Sequence, residues 1–326
     1  MKPLRWLAIT FLALVVLLAF AWASGAVYFD GPAQWLAAAQ AVAVLAVFMF
    51  VPRWWRKLTV FGVWLALVLT WWLTLKPTNF ASWQPDVAQL AWAEVNGDEV
   101  TLHNIRNCDY RSEEDYTPRW ETRNLRLSHI TGIDIAVTYW GSPWIAHPII
   151  SFQFSDAPPL CFSIETRKKV GQTYSAIGGL YRQYELMYIV ADERDVLRLR
   201  TNFRKDEEVY LYHCVATPAQ ARERFSEYLL SLNDLRATPR WYNAVTTNCT
   251  TAIRQQHPTA ERMSWDWRLL ANGKGDELMY ERRVMATDGL PFAELKRRAL
   301  INPAARAADN ALDFSTRIRE GRPGFL

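Results

Sequence analysis

Ala146-His147-Pro148-Ile149-Ile150-Ser151-Phe152-Gln153-Phe154, Ser155-Asp156-Ala157-Pro158-Pro159 and Leu160-Cys161-Phe162-Ser163-Ile164-Glu165 make one continuous stretch, and its reading decides the fold. The outer parts carry strand patterning and the proline-bearing middle is a turn. Pairing the apolar faces about Ala157 sets Phe154 opposite Leu160 and Phe152 opposite Phe162. His147, Ser151, Gln153, Ser163 and Glu165 then point to the other, more polar face. In this register Glu165 is a diagonal neighbour of His147, and a two-residue shift puts it directly opposite. A one-residue slip exchanges the faces, so the parity is well determined. Glu165 is the natural carboxylate to orient the imidazole and to stabilise its protonated form.

Working outward, Val100 to Ile105, Ile133 to Tyr139, Leu186 to Val190 and Val209 to Val215 have the same strand-like character. Helical patterning follows over Ala219 to Leu235, from Cys249 through Ile253, and over Pro291 to Ala299. Strands first and helices later predict an α+β domain with a mainly antiparallel sheet.

Cys249 is the candidate nucleophile. Thr246-Thr247-Asn248 offers capping side chains immediately before it, so the thiol falls in the first turn of a helix. There the helix dipole favours a thiolate. Backbone amides at that end, with the Asn248 or Asn243 amide as oxyanion or support groups, suit a developing negative charge. A buried structural thiol is the plain alternative. His103, His129, His213 and His257 compete with His147 as base; His213 lies in an apolar strand and His257 sits before Pro258. Cys108, Cys161 and Cys214 read either as buried small hydrophobes or as disulfide partners. The run Asp192-Glu193-Arg194-Asp195, with Arg198, Arg200 and Arg204, reads as a solvated set of ion pairs. Gly178-Gly179 reads as a turn or bulge. No HExxH, paired CxxC, EF-hand or phosphate-loop pattern occurs in the sequence, so no metal or cofactor is expected.

The chain has 326 residues, 16 of them tryptophan, and a formal net charge of +4, too small to point to nucleic acid. Leu7 to Trp22, Trp35 to Val51 and Leu58 to Leu75 are apolar, each near the ~20 residues that cross a hydrocarbon core. They predict a three-helix transmembrane anchor over residues 1–75, a linker over 76–86 and one domain over 87–326. A signal peptide is the alternative for the first segment. Lys2 and Arg5 precede the first span, and Arg53, Arg56 and Lys57 lie between the second and third. The basic residues put the N-terminus in the cytoplasm and the domain outside a bacterial inner membrane. Membrane lipids are then the expected partners, with lipoproteins as further candidates.

Asn107-Cys108-Asp109-Tyr110-Arg111, Tyr139-Trp140, Ala146-His147, Ser151-Phe152-Gln153-Phe154, Ser163-Ile164-Glu165-Thr166-Arg167 and Glu193-Arg194-Asp195 recur in an order seen elsewhere. With Trp241-Tyr242-Asn243 and Asn248-Cys249-Thr250-Thr251, they resemble the N-terminal periplasmic domain of the Lnb-type lipoprotein N-acyltransferases. That family is similar to permuted NlpC/P60 (papain-like) thiol enzymes, in which a strand histidine precedes a helix cysteine. The resemblance implies Cys249 as nucleophile and His147 as general base; Glu165 as third member rests on the hairpin. Cys108 departs from the aromatic residue expected there. The apolar spans precede the domain, whereas the named acyltransferases continue with membrane helices after it. The implied activity is acyl transfer at the bilayer surface from phospholipid or lipoprotein. A cell-wall peptidase or amidase, and a non-catalytic envelope binding module, are the competing readings.

Overall fold

The computed structural model describes residues 2–256, 266–269 and 271–325. The chain divides into two compact units. The first holds residues 1–78 with two later segments, Thr173–Glu185 and Trp241–Ala244. The second holds the remainder, including the hairpin and the Cys249 segment.

In the first unit, α1 spans Lys2–Asp30, α2 Trp35–Phe50 and α3 Trp54–Thr74. Gly31-Pro32 and Val51-Pro52 follow the ends of α1 and α2, since proline disfavours helix in the residue before it. Trp72 Nε1 donates to Asp30 Oδ2 at 2.7 Å, so α1 and α3 end at one level. Lys57 Nζ donates to the Phe48 carbonyl at 2.5 Å, so α2 ends where α3 starts. α1 and α3 therefore run parallel and α2 runs back. The expectation of three full-length apolar spans is corrected: two helices meet that length, and α2, which runs back between them, is a shorter apolar helix. α1 and α3 are long and apolar enough to cross a membrane, whereas α2 has 16 residues. At about 1.5 Å per residue, α2 reaches only ~24 Å against a core of ~30 Å.

In the second unit the strands are β1 (Trp92–Asn96), β2 (Glu99–Arg106), β3 (Asp109–Tyr110), β4 (Tyr116–Thr117), β5 (Trp120–Arg126), β6 (Ile130–Trp140), β7 (Ala146–Phe154), β8 (Leu160–Arg167), β9 (Glu185–Asp192, its first residue in the other unit) and β10 (Glu207–His213). The helices are α4 (Glu193–Arg198), α5 (Pro218–Ala237), α6 (Cys249–Gln256), α7 (Gly275–Glu281), α8 (Phe292–Ala299), α9 (Asn302–Ala307) and α10 (Phe314–Arg317). The main sheet runs β1-β2-β9-β8-β7-β6-β10, with β5 also on β2. It is mixed rather than purely antiparallel, because Arg106 of β2 pairs Ala191 of β9 in parallel. The α+β class stands.

The hairpin keeps the expected parity but not the first-choice register. Ile150 pairs Phe162 and Phe152 pairs Leu160, two residues away from pairing about Ala157. On the other edge of β7, Phe154 pairs Ile130 of β6. Pro158 and Pro159 have no amide hydrogen for a close ladder, so the connection stays wide. Continuing this register sets His147 opposite Glu165.

Both faces of the hairpin are buried. On one, Phe152 and Phe162 meet Phe225 and Tyr228 of α5, with ring centroids 5.0 to 5.7 Å apart. On the other, Ile149 and Cys161 join Met187, Leu211, Ala305 and Phe314. The more polar face is therefore covered too, and His147, Ser151 and Ser163 on it are buried. Helices on both sides of a sheet produce this result.

Candidate active site

His147 is the second residue of β7, where Thr138 of β6 is its partner, and its side chain is buried. Ser163 Oγ lies 2.7 Å from His147 Nε2 and donates to Glu165 Oε1, also at 2.7 Å. The serine hydrogen is thus spent on the carboxylate, so its lone pair accepts from Nε2–H. This assigns the neutral imidazole its Nε2–H tautomer and gives Nδ1 the acceptor role. Glu165 Oε1 is itself 3.1 Å from Nε2.

Arg200 completes the group. Its Nη2 is 2.8 Å from Glu165 Oε1 and its Nη1 is 3.1 Å from Glu207. Burial opposes ionisation of Glu165, but His147 and Arg200 outweigh it and hold the carboxyl well below the usual carboxylate range. The residue therefore stays anionic at neutral pH.

Cys249 opens α6, and α6 packs against β7 and β8, the strands that carry His147 and Glu165. The Cys249 thiol is not among the described side chains. Asn248 caps the helix. Its Oδ1 accepts from the Thr251 amide at 3.0 Å, and its own amide donates to Thr251 Oγ1 at 2.9 Å. The carboxamide oxygen of Asn248 is thereby a helix-capping group. Asn243 lies in the other unit, where its Nδ2 donates to the Leu180 carbonyl at 3.1 Å.

Sequence reasoning missed Asn272. Its Oδ1 accepts from the Ala146 amide at 2.9 Å, and its Nδ2 donates to Thr250 Oγ1 at 3.2 Å. One carboxamide thus joins the residue before His147 to the residue after Cys249. Next to it, the Gly273 amide donates to the Trp144 carbonyl at 3.0 Å. Gly273 has no room for a side chain, because a Cβ would come within 2.6 Å of the Ile145 nitrogen. No local pattern marks Asn272, since its partners lie 126 and 22 residues away.

The competing histidines have other partners. His103 stacks on Trp92 with centroids 4.0 Å apart, His129 lies 2.6 Å from Asp156, and His213 lies 2.8 Å from Asp134. His257 lies outside the described residues. Cys108, Cys161 and Cys214 are free and buried. Burial pushes the Cys108 thiol up to about 11 and raises the other two as well, so all three are poor nucleophiles at neutral pH.

The charge-rich run is not solvated, which corrects the reading of it as a surface set. Glu193, Asp195, Arg198 and Arg200 are buried. Asp195 pairs with Arg106 at 2.6 Å, Arg198 with Asp309 at 2.8 Å, and Glu193 with Arg319 at 2.5 Å. The partners come from distant parts of the chain, so the run read alone looks like a surface. Arg198 and Arg200 are thus engaged by carboxylates.

Comparison with curated proteins and with solved structures gave no match. The family comparison did, over a segment that contains His147, Glu165, Cys249 and Asn272. Residues 116–273, just under half of the chain, match the model of the Lnb N-terminal periplasmic domain.

Proposed function

We propose that the protein is a membrane-anchored, periplasm-facing thiol enzyme that transfers acyl groups at the bilayer surface. The observation that carries this reading is the packing of α6, which begins at Cys249, against the two strands that bear His147 and Glu165. The order His147, Glu165, Cys249 is also that of the permuted NlpC/P60 arrangement.

In the proposed cycle His147 Nδ1 takes the thiol proton and the Cys249 sulfur attacks the ester carbonyl of a phospholipid or lipoprotein acyl chain. Negative charge then develops near the N-terminal end of α6, where the helix dipole favours an anion. The ester C–O bond breaks, and the imidazolium returns its proton to the departing alcohol. An amine next attacks the thioester and passes its proton to His147. The C–S bond breaks, the amide leaves, and the thiolate is restored. Glu165 and Ser163 orient the ring and stabilise its cation throughout.

An acyl substrate is favoured over a cell-wall peptide by the surface beside His147. Trp144, Ile145 and Trp267 are each about half exposed, and the two indoles have centroids 6.3 Å apart. An exposed apolar cluster two residues from the candidate base suits a hydrocarbon chain. The basic residues Lys2, Arg5, Arg53, Arg56 and Lys57 flank the starts of the parallel helices α1 and α3. By the positive-inside rule this end is cytoplasmic in an inner membrane, and the domain that follows α3 is periplasmic.

The test is trapping. Full-length protein is incubated with phospholipid labelled in its acyl chain, and a hydroxylamine-sensitive protein adduct is sought. Wild type should form it and Cys249→Ala should not. No adduct on wild type, or one that persists in Cys249→Ala, sinks the proposal.

A further inference from the structure

The loop Thr173–Glu185 belongs with the apolar helices, and its chemistry is unusual for a water-facing connection. From Thr173 to Tyr181 it contains no charged residue. Tyr181 is buried with Ala23 and Ala26 of α1 and Val68 of α3, and its ring stacks on Phe29 at 5.0 Å. A Cβ on Gly25 would collide with the Tyr181 hydroxyl, so the glycine makes the notch that the ring fills. Gly25 lies five residues before Asp30, about 7 Å back along the helix axis.

Polar groups fix the base of the loop at the helix ends. Arg182 Nη1 donates to the Trp72 and Leu75 carbonyls at 2.6 and 2.5 Å. The Arg182 amide donates to Asp30 Oδ2 at 3.1 Å, and Gln183 Nε2 donates to Asp30 Oδ1 at 2.9 Å. Leu75 and Asp30 close the two long apolar helices, so this polar layer marks the membrane–water boundary. Tyr181 reaches past it toward the hydrocarbon side. Its neighbours Tyr174, Ile177 and Leu180 are 48, 63 and 42 % exposed.

We infer that Thr173–Tyr181 is a membrane-dipping loop, with Tyr174, Ile177 and Leu180 set among the lipid acyl chains and headgroups beside α1 and α3. An uncharged, Tyr-rich segment tied down by arginine at the boundary has the composition of the bilayer interface. The loop also holds the chain that leads to Cys249. The Tyr242 amide donates to the Tyr184 carbonyl at 2.9 Å, and the Ala244 amide to the Gly179 carbonyl at 2.8 Å. The segment five residues before the candidate nucleophile is thus hydrogen-bonded to a lipid-contacting element.

The experiment uses the full chain carrying Cys249→Ser, reconstituted in phosphatidylethanolamine–phosphatidylglycerol vesicles. A nitroxide is attached at Ile177→Cys, Tyr174→Cys or Leu312→Cys; Leu312 is exposed on the other unit. Dissolved oxygen, which concentrates in lipid, should relax the labels at 177 and 174 more than an aqueous nickel complex does. At 312 the order should reverse. Nickel access at 177 and 174 equal to that at 312 would overturn the inference. If Ile177→Cys does not accumulate, Tyr174→Cys carries the test alone. The readout needs no turnover, so it stands or falls separately from acyl transfer.

Discussion

Glu165 Oε1 lies 3.1 Å from His147 Nε2, and Ser163 bridges the same two groups. The carboxylate is held anionic by the imidazole and by Arg200. Replacing His147 by alanine removes the base and should slow adduct formation by about 10²- to 10⁴-fold. Glu165→Gln should slow it less, and should shift the acid limb of the pH–rate profile to lower pH, because the imidazolium loses its counter-charge. A profile unchanged in Glu165→Gln would remove Glu165 from the mechanism.

The same carboxylate carries a stability prediction. Its folded pKa is depressed, so its contribution is present above the ordinary carboxylate range and is lost as pH falls through the folded value. Denaturant unfolding of wild type and Glu165→Gln should differ at pH 7, by about 2 kcal/mol, and converge in strong acid. A gap that persists at low pH would contradict this.

Asn272→Ala should loosen the link between the His147 strand and the Cys249 helix. Two hydrogen bonds are lost, for roughly 1–3 kcal/mol of stability. The pH dependence of Cys249 alkylation should also move toward that of an ordinary thiol. Loss of stability with an unaltered alkylation profile would make Asn272 structural only.

Asn248→Ala removes the α6 cap and should cost about 1 kcal/mol, whereas Asn248→Asp should retain most of it. Thermal unfolding of the two variants distinguishes a capping role from an amide-donor role. If adduct formation falls equally in Asn248→Ala and Asn248→Asp, the side-chain amide is the group that matters.

His213 responds to pH in the opposite sense to Glu165. A hydrogen bond donated to Asp134 raises its pKa above the usual value for histidine. Its contribution is therefore full below about pH 6.5 and disappears as pH rises through the folded value. The Tm difference between wild type and His213→Gln should shrink between neutral and mildly alkaline pH. A difference that grows over that range would reverse the assignment.

The strands at β2 and β6 to β10, and the helices α5, α6 and α8, were legible because apolar periodicity and capping are local properties. The short helices α4, α7, α9 and α10 were not, since four to seven residues contain too little of a period to recognise. The hairpin parity that groups His147 with Glu165 was fixed by alternation alone. The register was not, because two registers of equal parity bury the same side chains and differ only in how the turn closes.

By itself the sequence determined the α+β class, the apolar helices, the helix start at Cys249 and the shared face of His147, Ser163 and Glu165. Each follows from contacts within a few residues or from one hairpin. Only the tertiary structure decided that this face is buried, that the charged run is internal, and that Arg200 and Asn272 join the site. It also grouped Thr173–Glu185 with the N-terminal apolar helices. Those outcomes depend on partners scores of residues away, and burial of a charge is decided by whether a distant opposite charge arrives to meet it.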